Sequence, residues 1–338
     1  MTNFSPDACH ERVLKNRKPL LAYDASADYG TWKEEVTERF LELLGDDPER
    51  TDLNVTIEWE KETDTYIERR IIFDTEPEAS VPCHLLLPKG GKAPYPVVIC
   101  LQGHSSGMHI SLGRPIFEGD ENLISGGDRD FALQIVREGY AALVLEQRGF
   151  GARKCDEKIM KGNTTCAHPA MVAALLGRTM VRERAWDVSR AIDMLETLPE
   201  IDKDHIALMG NSGGGTATYY TAALEKRIKV AMPSCAVCAF DHSIGIMRHC
   251  DCNYIPRMIK YFDMGEIACM IAPRPLIVVA GEKDHGFLIE GTKKVFSVIQ
   301  EIYKKEGAPD NCKLIVGPEG HRFYADLSWG AFRKFFLG

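Results

Sequence analysis

From residue 95 onward the chain alternates short, continuous apolar runs with helical stretches, and this rhythm restricts the fold more than any other feature. The runs 96–101, 141–145, 206–209, 230–232, 275–280 and 313–316 are apolar almost throughout rather than every second residue, as strands buried on both faces must be. Between them, 130–138, 179–198, 213–225, 255–270, 290–305 and 327–336 read as helices. The clearest is 179–198, with Ala185, Ser189, Ile192 and Leu195 on one face and Pro199 ending it. Such repetition builds a parallel sheet with crossover helices. Ahead of it, the runs 53–59, 65–73 and 81–87 predict antiparallel leading strands. Trp32, Val36, Phe40, Leu41 and Leu44 predict a helix within the first 50 residues. The expected fold is α/β: a mostly parallel, doubly wound sheet with antiparallel leading strands, as one domain over 51–338 preceded by an N-terminal helical extension over 1–50. No repeat or linker divides it.

The 338 residues, 45% of them hydrophobic, suffice for a large core without disulfides or a structural metal. A net charge of −8, from 41 basic and 49 acidic residues, argues against nucleic acid or an anionic membrane as partner. No apolar run is long enough to span a bilayer, and the N-terminus lacks a basic stretch followed by an apolar one, so a cytoplasmic protein is expected. The 11 cysteines, several inside apolar runs, read as reduced thiols. Cys235-x-x-Cys238 with His242, His249, Cys250 and Cys252 also offers enough ligands for zinc.

Three long connections, 103–128, 149–177 and 234–253, begin at strand carboxyl ends, where open α/β sheets bind ligands. The strongest chemical signal is Gly210-Asn211-Ser212-Gly213-Gly214 between a strand and a helix. Small residues there permit the sharp turn that exposes a nucleophilic serine. A phosphate or dinucleotide loop would need a lysine or a G-x-G-x-x-G frame after the first strand, and neither is present.

A serine needs a base, and the base an acid to orient it. After later strands stand Asp284, in Gly281-Glu282-Lys283-Asp284, and His321, in Gly317-Pro318-Glu319-Gly320-His321, in the order Ser, Asp, His. Glu282 or Asp263 is an alternative acid and His285 an alternative base. The N–H of Gly213 and that of His104, in the glycine-containing loop Gln102-Gly103-His104, are candidate oxyanion donors. Gln102, Arg148, His168 and His249 are candidate pocket residues, although Arg148 suits a structural pairing with Asp187.

With Gln147-Arg148-Gly149-Phe150-Gly151, Leu176-Gly177-Arg178-Thr179, Trp186-Asp187, His249-Cys250-Asp251-Cys252-Asn253-Tyr254-Ile255-Pro256, Ile271-Ala272-Pro273-Arg274-Pro275 and Gly320-His321-Arg322-Phe323-Tyr324, the chain from about residue 81 resembles the acetylxylan-esterase and dienelactone-hydrolase-related branch of the α/β hydrolases. The resemblance implies serine-dependent ester hydrolysis by Ser212, Asp284 and His321 without metal or organic cofactor. It also implies a small-molecule ester substrate, such as an acetylated sugar, and a homo-oligomer in some relatives. Gln102-Gly103 replaces the usual His-Gly, and Asp284-His285 the usual Asp-Pro. For the His249–Cys252 block it favours packing or site lining over zinc. A peptidase or amidase could use the same triad, and a catalytically silent binding protein could keep the same fold.

Overall fold

The computed structural model describes residues 4–156 and 166–337, so part of the 149–177 connection lies outside the described residues. In chain order the elements are α1 (Asp7–Lys15), α2 (Tyr29–Leu44), β1 (Thr56–Glu62), β2 (Tyr66–Glu76), β3 (Ala79–Pro88), β4 (Tyr95–Leu101), α3 (Asp120–Ile124), α4 (Phe131–Arg137) and β5 (Ala141–Leu145). Then follow α5 (Ala167–Leu175), α6 (Met180–Leu195), β6 (Ile201–Asn211), α7 (Gly213–Leu224), β7 (Ile228–Ser234), α8 (Met258–Tyr261), β8 (Leu276–Gly281), α9 (Ile289–Lys305), β9 (Cys312–Gly317) and α10 (Ala325–Phe336).

The nine strands form one sheet in the order β1-β2-β3-β5-β4-β6-β7-β8-β9. The first three pairings, through β3–β5, are antiparallel and the remainder parallel. The expected antiparallel leading edge and parallel body are both present. Alternation along β4 explains why its run is apolar throughout: Val97, Ile99 and Leu101 pack with α6, while Val98 and Cys100 face α4 and α10. The order reverses around β4, and the loops after β4 and β6 open side by side at this switch point.

Helix α2 is part of this body. Its Trp32, Val36, Phe40, Leu43 and Leu44 lie in one core with Tyr219 and Tyr220 of α7 and Phe296 and Ile299 of α9. Leu41, expected on the apolar face, is 43% exposed, and Leu43 takes the buried position. Asp28 caps α2 by accepting from Thr31 N–H, and Thr179 caps α6 by accepting from Arg182 N–H.

The helix expected over 255–270 is instead α8 and a separate 3-10 turn, Glu266–Met270. Arg257 takes a left-handed φ of 66°, and Asp263 spends its carboxylate on the N–H groups of Phe240 and Met264 and on Arg17. These local bonds stop a continuous helix. The long connections carry structure of their own, including α3, α5 and several 3-10 turns. Among the described residues no helix is long and apolar enough to cross a membrane.

Candidate active site

Ser212 sits between β6 and α7 at φ 58°, ψ −123°, a conformation that L residues rarely hold. The surrounding glycines explain how the turn closes. A Cβ on Gly214 would lie 2.0 Å from the Leu101 carbonyl oxygen, and one on Gly210 would lie 2.5 Å from that of Gly214. The Ser212 N–H donates to the Ser234 carbonyl at 2.8 Å, tying the turn to the end of β7.

The loops after β8 and β9 bring acid and base together. Glu282 N–H donates to the Gly317 carbonyl and Lys283 N–H to the Glu319 carbonyl, each at 2.8 Å. Across this backbone clamp His321 Nδ1 lies 2.8 Å from Asp284 Oδ2. The other carboxylate oxygen accepts from Gly286 N–H at 2.8 Å and Phe287 N–H at 3.1 Å. Burial alone would raise the Asp284 carboxyl. The His321 hydrogen bond and charge, with the two N–H groups, outweigh it and hold Asp284 below the usual carboxylate range. Of the alternative acids, Glu282 is exposed and Asp263 lies with Arg17; His285 is exposed on the acid loop.

Ser212, Asp284 and His321 line one cavity of about 470 Å³ with His249 and Phe287. A second, of about 420 Å³, meets it at Ser212 and is lined by His104, Gly213, Arg248, Asp251 and Asn253. His249 thus stands where the sequence suggests, its Nε2–H donating to the Gly286 carbonyl, 3.0 Å away. Burial lowers its pKa despite that bond, which favours the neutral ring.

The loop after β4 lies against the serine. A Cβ on Gly103 would meet the Asn211 carbonyl at 2.8 Å and Ser212 Cβ at 2.9 Å, so only glycine permits this approach. The His104 ring lies over Gly213, where an added Cβ would be 2.6 Å from it.

Three expected pocket residues lie outside both cavities. Gln102 is buried behind the loop, donating to Glu146 at 2.6 Å. Arg148 is held by Asp187 through two 2.8 Å hydrogen bonds and pairs with Glu76 and Glu183, so its charge is satisfied within the protein. His168 is exposed on α5. The zinc set weighed from the sequence does not assemble either. Cys235 lies near Asp284 and His321, and Cys238 bonds to the His242 and Leu288 carbonyls, while Cys250 and Cys252 are grouped with His104. Burial, with the Asp284 charge, pushes Cys235 up to about 12, leaving a neutral thiol beside the serine turn.

Sequence reasoning missed Phe287, stacked on His321 at 5.9 Å, and Arg129, which is buried and donates to the His321 carbonyl at 2.9 Å. Phe287 follows the acid by three residues and could have been suspected; nothing in the sequence marks Arg129.

A strained serine elbow, an Asp–His pair after the last two strands and a sheet of this order define an α/β hydrolase. More narrowly, the chain belongs to the Abhydrolase family (Abhydrolase_7), which it matches over residues 4–318, including the N-terminal segment outside the resemblance drawn from motifs. It is 28% identical over 298 residues to the candidate hydrolase YtaP of Bacillus subtilis (strain 168), covering 85% of this chain and 93% of that protein. Among solved structures, a candidate acetyl xylan esterase from Bacteroides fragilis NCTC 9343 matches with a TM-score of 0.76 at 18% identity, over 94% of this chain and 83% of the other. A glucuronoyl esterase from Solibacter usitatus gives 0.67 at 17% identity, over 95% and 97%.

Proposed function

We propose that this protein is a serine carboxylic-ester hydrolase acting through an acyl-enzyme on small esters, with acetyl esters of sugars the foremost class. The observation that carries this reading is the strained Ser212 sharing one cavity with the His321–Asp284 pair. His321 takes the serine proton through Nε2 while Asp284 fixes the tautomer at Nδ1 and balances the imidazolium. Ser212 Oγ attacks the ester carbonyl, and the N–H groups of Gly213 and His104 receive the oxyanion. His321 returns the proton to the departing alcohol, then activates the water that releases the acid.

Esters of carbohydrates fit the polar wall formed by Arg248, His249, Asp251 and Asn253. They are also the substrates named for the Bacteroides and Solibacter proteins. Ser212→Ala is expected to lower p-nitrophenyl acetate hydrolysis by at least about 10⁴-fold with the melting temperature nearly unchanged. Retained turnover in a folded variant overturns the assignment. Acetylated xylo-oligosaccharides assayed beside methyl glucuronoyl esters identify the preferred bond.

A further inference from the structure

Each of the three long connections sends a side chain to one point beside the serine turn. His104 comes from the first, Cys166 from the second, and Cys250 and Cys252 from the third; one donor atom from each lies within 4.8 Å of all the others. His104 Nε2 is 3.2 Å from Cys252 Sγ, and the sulfurs of Cys166 and Cys250 are 2.7 Å apart, with none of the three cysteines in a disulfide. Phe150, Ala170 and Met180 pack around the cysteines.

A buried cation faces the same point. Arg184 is 3% exposed and donates to Cys252 Sγ at 3.3 Å and to the Arg148 carbonyl at 2.8 Å, with its guanidinium 4.5 Å over the Phe150 ring. Among the described residues it has no carboxylate within ion-pair distance, unlike neighbouring Arg148 and Arg153. A buried charge requires a countercharge.

We infer that His104, Cys166, Cys250 and Cys252 bind one zinc ion as a closed Cys₃His site. Three thiolates and one neutral imidazole form a donor set suited to tetrahedral zinc. Three thiolates around a dication leave one negative charge, which Arg184 balances. Zinc–sulfur bonds of about 2.3 Å require sulfurs about 3.8 Å apart, so binding spreads Cys166 and Cys250 by about 1 Å. With all four positions filled by protein, the ion is structural: it staples three loops that share no disulfide. Because His104 supplies a ligand from its ring, the ion also fixes the backbone that borders Ser212.

The test is the metal content of tag-free protein, purified under reducing conditions from zinc-supplemented medium and passed over a chelating column. About one zinc per chain is expected in the wild type and in Ser212→Ala, and less than about a fifth of that in Cys166→Ser and Cys252→Ser. The serine variant keeps this test independent of the esterase reading. Should the cysteine variants misfold, wild-type protein stripped of metal and given cobalt(II) decides, through the visible bands of tetrahedral cobalt and thiolate-to-cobalt charge transfer in the near ultraviolet. Absence of both zinc and those bands overturns the inference. So does a Cys166–Cys250 disulfide, detected as a loss of two hydrogens and a linked peptide pair in unreduced protein.

Discussion

Gly103→Ala tests whether the loop after β4 supplies an oxyanion donor. The new methyl would stand 2.8 Å from the Asn211 carbonyl oxygen and 2.9 Å from Ser212 Cβ, whereas ordinary contact begins at 3.4 Å. Relieving both contacts needs a separation of 0.5–0.6 Å. Neither neighbour yields easily, because Asn211 and Ser212 are pinned through the Ser212 N–H bond to Ser234 and the tight packing of Gly210 against Gly214. The displacement therefore falls on the loop and carries the His104 N–H with it. An oxyanion donor works over about 2.7–3.1 Å, so half an ångström removes most of its effect, and kcat should fall about 10²–10³-fold. KM for p-nitrophenyl acetate should change much less, since the donor acts mainly in the transition state. The assay is steady-state kinetics paired with thermal unfolding, because overpacking itself costs about 1–3 kcal/mol. Gly330→Ala is the control: its methyl meets nothing within 4 Å, and activity should be unchanged. A folded Gly103→Ala enzyme whose kcat stays within threefold of wild type would show that this loop supplies no oxyanion donor.

Two further substitutions probe electrostatics away from the reaction centre. Arg148→Ala removes the cation shared by Glu76, Glu183 and fully buried Asp187, so urea unfolding should show a loss of about 3–5 kcal/mol; a loss below about 1 kcal/mol contradicts a structural role. Burial first, then the Asp263 charge, raises the Glu266 carboxyl to about 7. A carboxyl raised in the native state binds more protons there than when unfolded, so its contribution is intact below its unfolded pKa and declines as pH rises through the folded value, by about 3 kcal/mol in all. Glu266→Gln should flatten the dependence of stability on pH between about 5 and 8, and an unchanged slope would contradict the buried protonated acid.

The parallel body of the fold was legible because burial on both faces writes itself as unbroken apolar runs, as in β4 and β5. Element ends were less so. β6 begins at Ile201, which pairs with Tyr95, but residues 202–205 bulge out of the ladder and regular pairing resumes only at Ile206 opposite Val97. The helix expected over 255–270 failed for a reason invisible to periodicity: its apolar residues enter the core from two short turns separated by the Asp263 hydrogen bonds. For Arg148 the pairing with Asp187 was legible and is observed, but its place outside the pocket was not, because Glu76 comes from β2 while Glu183 and Asp187 lie on α6.

The site divides along the same physical line. Ser212, Asp284 and His321 could be read in advance because each directly follows a strand, and parallel strands place their carboxyl ends along one edge. Chain order therefore maps onto spatial order, and a one-dimensional pattern is enough. His104, Cys166, Cys250 and Cys252 obey no such rule, since loop residues have no register and Cys252 is 148 positions from His104. The one metal-like spacing in the sequence suggested a different grouping, around Cys235 and Cys238. In the fold those two thiols leave the end of β7 toward different neighbours. Spacing identifies a ligand set only when one local element presents it; where several loops converge, the arrangement is a property of the fold.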